Sequence, residues 1–303
     1  MNNARSYVLV AVVVVACLFV AGFFFTKKES PQIQPSAFDP LNATYLIDGT
    51  PVALVNGKAS TPVAPGSAEV VTTQIFGEPV YGDVSGDGTN DAAVFLVQTG
   101  AGSGTFYYAA AALDSGHGAL GTNAVLLGDR IAPNTIQIAN GIMIVNYAER
   151  KPGEPMSASP SVGVSKYLVE SNGTLYDTPT DIYPLPPGFT WGGKGVATIS
   201  QGGSATSTLV GIQIESEPIL NITDLSAKTL PFDAYYKQKL AAAGWSVDNA
   251  LAAGGPGAEI TGYTKGAEYI VLQFSSVFKN TPQNSPETCP CDMTFSVFGG
   301  SKE

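Results

Sequence analysis

Tyr7 to Phe25 is a run of nineteen residues with no charged side chain. A stretch of roughly 18 or more apolar residues is long enough to cross the hydrocarbon core of a bilayer as a helix. Such a run commits its chain to a membrane, and whatever follows it must fold outside the lipid. A cleaved signal peptide carries an apolar stretch of about 7 to 15 residues that ends at a small-residue cleavage site. This run is longer and ends in Phe23, Phe24 and Phe25. The expectation is an uncleaved signal anchor: a short tail over residues 1–6, then a single N-terminal transmembrane helix over 7–25.

An alternative is a lipoprotein signal, because Val14-Val15-Ala16-Cys17 resembles a lipobox in which Cys17 would be lipidated. The residues after Cys17 stay apolar where a lipoprotein usually turns polar. Arg5 precedes the span and Lys27 and Lys28 follow it, so the positive-inside rule does not orient the chain, although long domains translocate largely regardless of charge. Fourteen basic and 25 acidic residues follow the span, a net charge of −11. A surface of that sign repels phosphate backbones and disfavours nucleic acid as a partner. Charged residues are 13 % of the chain, about half of the ~25 % usual in globular proteins, while 34 Gly and 21 Pro point to many turns. The expected location is the cell membrane, single-pass, with the C-terminal domains extracytoplasmic.

Residues 26–41, with Pro31, Pro35 and Pro40, read as a flexible spacer. From 42 to 178 short apolar runs alternate with turn clusters: 70–76, 92–97, 105–113, 142–147 and 164–169. That spacing predicts a mainly β first domain, with Thr99–Gly104 (TGAGSG) as a hairpin loop. Pro179, Pro184, Pro186 and Pro187 cannot supply backbone N–H groups to a sheet and predict a linker over 179–190. A small α+β domain is expected over 191–303. There Val210, Ile212 and Ile214 alternate as a half-buried strand. Phe232, Tyr235, Tyr236, Leu240 and Ala243 recur at helical spacing, with Pro231 in the first turn and Gly244 at the end. Strands are expected at 268–274 and 293–298. No tandem repeat of propeller or solenoid length is visible.

One stretch carries specific chemistry. Asp83-Val-Ser-Gly-Asp-Gly-Thr-Asn-Asp91 puts oxygen side chains at loop positions 1, 3, 5 and 9 and a glycine, Gly88, at position 6. Calcium takes six to eight oxygen ligands, and a glycine there permits the sharp turn that folds them inward. The expected ligands are the side chains of Asp83, Ser85, Asp87 and Asp91 and the carbonyl of Thr89, with water completing a structural calcium site. The competing reading is a polar turn that matches by spacing. Position 12 is Val94 rather than the bidentate Glu of an EF-hand. The loop instead resembles the calcium loops of FG-GAP repeats in integrin-type propellers, where a D-x-[DNS]-x-D-G-x-x-D stretch precedes a strand. It occurs once here, so the resemblance implies the metal loop and not the propeller.

A wider resemblance rests on TYLIDGTPVALVNGKA from Thr44, GDVSGDGTNDAAVFL from Gly82, GTFYYAAAALD from Gly104, LLGDRIAPNTIQI from Leu126 and VNYAERKPGEP from Val145. Through these the first domain resembles a bacterial exported, membrane-anchored module. The second domain resembles another recurrent exported α+β module, through Tyr235-Tyr-Lys-Gln-Lys-Leu240 and Gly244-Trp245. Both imply a bacterial cell-envelope protein, and neither implies an activity.

Other patterns fall short of chemistry. Gly116-His-Gly-Ala-Leu-Gly121 matches G-x-G-x-x-G, but no helix opens after it and no acidic residue stands about 20 positions on. His117 is the single histidine and no G-x-S-x-G elbow accompanies it. Cys289 and Cys291 with one distant histidine cannot complete a zinc site; a small disulfide and two thiols both remain open. Arg130, Arg150, Lys151 and Glu154 read either as an anion clamp or as surface ion pairs. Trp191, Trp245 and Tyr263 read either as a sugar-binding face or as core.

The function expected from these features is a non-enzymatic binding or scaffolding ectodomain at the cell envelope, with the membrane and an envelope polymer or protein as partners. Two alternatives are an envelope polymer hydrolase with Asp114 and Glu154 as its acid/base pair, and an accessory subunit of an envelope complex. If residues 7–25 span the bilayer, the full-length chain stays in the membrane pellet through a high-salt wash and leaves it only with detergent. Release by salt alone removes the anchor from this account.

Overall fold

The alternation of the apolar residues, period 2 on most runs and unbroken on a few, explains the observed architecture. The structure is a computed structural model that describes residues 38–100, 102–187, 189–201, 205–215, 222–255, 258–278 and 291–301. The expected span at 7–25, Cys17, the spacer up to residue 37 and Cys289 lie outside them. Among the described residues no helix is long and apolar enough to cross a membrane. The fold is mainly β.

Strands β1 (Thr44–Ile47) and β2 (Thr50–Ala53) form a hairpin. A second sheet contains β3 (Lys58–Pro62), β4 (Val70–Gly82), β5 (Asp91–Thr99), β6 (Thr105–Asp114) and β7 (Ala119–Gly121) in chain order, and β8 (Val125–Asp129) also pairs with β6. A third sheet has the order β12-β11-β10-β9, built from β9 (Ala132–Ala139), β10 (Ile142–Glu149), β11 (Val162–Ser171) and β12 (Thr174–Thr178). The apolar runs expected as strands are thus β4, β5, β6, β10 and β11. The TGAGSG loop joins Thr99 to its partner Thr105, with Gly100 and Gly102 at φ +113° and +139°.

Four tight turns share one chemistry. Asp48-Gly49, Asn56-Gly57, Asn140-Gly141 and Asn172-Gly173 each place both residues at positive φ, and each sits between directly paired residues. Those angles suit two-residue hairpins, because their twist matches that of the flanking strands, and Asn-Gly or Asp-Gly tolerates them best.

Successive residues on the central strands serve different cores. On β5 and β6, Ala92, Val94, Leu96, Ala110 and Ala112 face Tyr45, Ile47, Val52 and Leu54 beneath the first hairpin. Their neighbours Ala93, Phe95, Ala109 and Ala111 face Met143, Val145, Leu168 and Leu175 of the third sheet. Burial on both faces is why β5 reads as a continuous apolar run rather than an alternating one. The third sheet repeats the device, since Ile142 and Val169 point the opposite way, into a core shared with the C-terminal elements.

Those elements are β13 (Thr190–Gln201), β14 (Ala205–Glu215), helix α1 (Ile222–Ala242), β15 (Ser246–Val247), β16 (Ala253–Gly255), β17 (Ala258–Lys265), β18 (Glu268–Phe278) and β19 (Cys291–Ser301). The sheet order is β13-β14-β19-β18-β17-β15, with β16 on β17. Phe232, Tyr236 and Leu240 of α1 pack on Phe295 and Val297 of β19. The helix ends as expected at Gly244, with φ +85°. There Trp245 N–H donates to Leu240 O at 2.9 Å and Gly244 N–H to Ala241 O at 3.1 Å, the paired bonds of a Schellman turn. Its start differs from expectation: α1 begins at Ile222, so Pro231 is interior. A proline there forgoes one backbone hydrogen bond, and the buried face that follows it holds the helix in place.

The described residues from Phe38 onward belong to one compact unit, and residues 179–187, in the stretch 179–190 read as a linker, pack within it. Ile182 is fully buried. The Tyr236 hydroxyl donates to Ile182 O at 3.0 Å and the Tyr235 hydroxyl to Pro184 O at 2.8 Å, while Lys239 donates to Tyr183 O. Trp245 Nε1 donates to Asp181 at 2.8 Å. Tyr183 stacks on Tyr167 of β11 with ring centroids 3.7 Å apart. Prolines leave carbonyls without a ladder, and α1 supplies the donors. Burial pushes the Tyr183 and Tyr236 hydroxyls up from their ordinary values and draws the Lys239 ammonium down. Ile182→Ala should therefore cost about 2–5 kcal/mol, read from the chemical-denaturation midpoint. An unchanged midpoint would mean that the segment is a solvent-exposed linker.

Candidate functional site

The Asp83–Asp91 loop joins β4 to β5, and its three carboxylates organise it in different ways. Asp83 folds the first half: Oδ1 accepts Gly86 N–H at 2.6 Å and the Ser85 hydroxyl at 3.5 Å, and Oδ2 accepts Gly88 N–H at 3.0 Å. Gly86 and Gly88 both stand at positive φ, +80° and +87°, which brings those N–H groups around. Asp87 Oδ1 accepts the N–H and the hydroxyl of Thr89 at 2.8 and 2.6 Å. The Thr89 hydroxyl bond, then its N–H, holds the Asp87 carboxyl below the usual carboxylate range, with the Ser85 hydroxyl and the Lys194 charge adding to the effect.

Asp91 is 0 % exposed. Its Oδ2 accepts the N–H groups of Val84 and Ser85 at 2.9 and 2.6 Å, and Oδ1 accepts Asp114 N–H at 2.9 Å. The residue expected as the last ligand thus ties both ends of the loop and the end of β6 to the start of β5. The expected set Asp83, Ser85, Asp87, Thr89 and Asp91 shares one loop, held by mutual and backbone hydrogen bonds. Among the described residues no group of three or more His, Cys, Asp or Glu converges as a metal cage.

Sequence reasoning missed two participants, Lys194 of β13 and Glu170 of β11. Lys194 Nζ donates to Glu170 Oε2 at 2.7 Å, Glu170 O at 2.9 Å and Val84 O at 3.1 Å. Glu170 Oε1 accepts Gly173 N–H at 2.8 Å. A cleft of about 570 Å³ lies beside them, lined by Gly82, Asp83, Gly86, Asn140, Gly192 and Lys194 among others. Lys194 lies in a glycine-rich strand of a chain with few basic residues, and that isolation is the one sequence signal that marks it.

The remaining candidates are placed as follows. His117 is exposed in the β6–β7 turn. Asp114 accepts Gly116 N–H and Glu154 accepts Lys151 N–H, each within its own turn. Arg130 forks onto Asp129, with Nε–Oδ1 at 3.1 Å and Nη2–Oδ2 at 2.8 Å, and this pairing holds the Asp129 carboxyl low. Arg150 donates to Ala158 O and Arg130 O. Trp245 and Tyr263 belong to the core. The side chains of Trp191 and Cys291 are outside the described ones.

Compared with protein-family models, curated proteins and solved structures, the chain matches none. Its site is therefore judged on its own chemistry. Asp91→Asn replaces an acceptor oxygen by an NH₂ that faces backbone donors, and should cost roughly 1.5–3 kcal/mol for each N–H left without its charged acceptor. Urea unfolding measures the loss, and an unchanged stability would show that Asp91 does not hold the loop.

Proposed function

We propose that this chain is a single-pass, membrane-anchored cell-envelope protein whose extracytoplasmic part is a binding or scaffolding module, with calcium as a structural ion of the Asp83–Asp91 loop. The anchor rests on the uncharged run over 7–25. One observation carries the structural reading of the loop: Asp83, Asp87 and Asp91 all accept hydrogen bonds from the loop's own backbone. Carboxylates used in this way hold a shape; they are not positioned around a reacting atom. A similar commitment holds for Asp114 and Glu154, whose carboxylates close local turns, and for Arg150, which donates to the Ala158 and Arg130 carbonyls.

The donor set fits a hard cation. A carboxylate oxygen that accepts one N–H keeps further acceptor capacity, so Asp83 and Asp87 can share theirs with an ion, and Ser85 and Thr89 add neutral oxygens. When bound, calcium supplies positive charge that offsets the repulsion among carboxylates on one short loop. Extracellular modules bind calcium at about 10⁻⁴–10⁻³ M, and free ion at ten times the dissociation constant adds ~1.4 kcal/mol to stability. The full-length protein in detergent should melt higher with millimolar calcium than with chelator, and Asp87→Ala should lose that difference. Equal melting of the unmutated protein in both conditions removes the ion from this proposal.

A further inference from the structure

The structure couples the loop to the C-terminal sheet through one ion pair between a half-buried lysine and a buried glutamate. Lys194 leaves β13, runs past the β9–β10 turn and ends against the β4–β5 loop. A Cβ at Gly141 would stand 3.4 Å from its Cδ, and one at Gly86 would stand 3.1 Å from its Cε. Two turns from different sheets, each with a glycine at positive φ, thus line the path of the lysine stem. All three ammonium donors are engaged, on the Val84 carbonyl inside the loop and on the carbonyl and carboxylate of Glu170. The Glu170 side chain is 6 % exposed and that of Lys194 is 21 % exposed. Glu170 in turn holds the β11–β12 turn through Gly173. A buried carboxylate without its cation is strongly unfavourable, so the three elements hold together or loosen together. The ammonium also stands against the acidic loop, where it provides resident positive charge.

We propose that Lys194 and Glu170 form a conformational latch: a built-in cation that keeps the Asp83–Asp91 loop folded without metal and ties its order to the docking of β13. The calcium arm of the test below rests on the function proposed above; the latch does not. The test is hydrogen exchange on the full-length protein in detergent, comparing the unmutated chain with Lys194→Met, in chelator and in millimolar calcium. The Ser85, Gly86 and Gly88 amides are expected to exchange roughly tenfold faster or more in Lys194→Met with chelator, the scale of one lost charged hydrogen bond. Protection that calcium then restores supports both the latch and the calcium site. Protection that is lost and not restored supports the latch and rejects the calcium site. Unchanged protection in Lys194→Met overturns the latch, whatever calcium does. Should that variant fail to fold, Glu170→Gln leaves the Val84 and Glu170 carbonyl acceptors and removes the charge together with one of the two side-chain acceptor oxygens that Lys194 and Gly173 use. Faster exchange at the same three amides supports the latch there too, and unchanged exchange overturns it.

Discussion

The architecture of the described residues depends on strands that are buried on both faces. Adjacent residues of a strand point to opposite sides of its sheet, so β5 and β6 contribute to two cores at once, and β10 and β11 do the same one layer further in. No layer is independent under this arrangement: Met143 and Ile142 are neighbours in sequence and sit in different cores. The alanines at 109–112 are all fully buried. Their small side chains fit a sheet with another layer on each side, where larger ones would overpack.

The loop between β4 and β5 depends on that frame. Asp91 opens the doubly buried β5, and from there its carboxylate collects three backbone N–H groups that would otherwise lack partners. Buried backbone donors without acceptors are costly, so the charge on Asp91 has a structural use before any ligand is considered. Asp83 and Asp87 repeat the pattern nearer the surface. An acidic loop of this kind has a fold of its own, held by its own backbone hydrogen bonds. Lys194 reaches it from a strand 110 positions away along the chain, which links the order of the loop to elements far downstream.

Much of the strand content was legible. The runs at 70–76, 92–97, 105–113, 142–147 and 164–169 became strands because burial and β-pairing act on residues close in sequence. Gly244 ended its helix because the last turn needs a left-handed residue wherever it lies. The four Asp-Gly and Asn-Gly turns carried an equally local signal that the apolar runs overshadowed, and they mark β1–β2 and β11–β12 as hairpins. Pro231 misled, since proline restricts only its own φ and one hydrogen bond, and a well-buried helix tolerates both. The prolines at 179–187 misled for a related reason: residues that cannot join a sheet are not thereby left in solvent. Tyr235, Tyr236 and Lys239 supply donors to the carbonyls that those prolines leave open.

By itself the sequence determined the elements and the loop. The uncharged run at the N-terminus, the apolar strands, the tight turns and the spacing of Asp83, Asp87 and Asp91 follow from interactions between residues a few positions apart. Only the tertiary structure decided what those parts face. It sends alternate residues of one strand into separate cores, turns Asp91 inward to three backbone amides, and brings Lys194 to Val84 and Glu170. Asp114 lies 23 residues from Asp91, and Glu170 and Val84 lie 24 and 110 residues from Lys194; these pairings depend on how whole sheets stack, which no local pattern encodes.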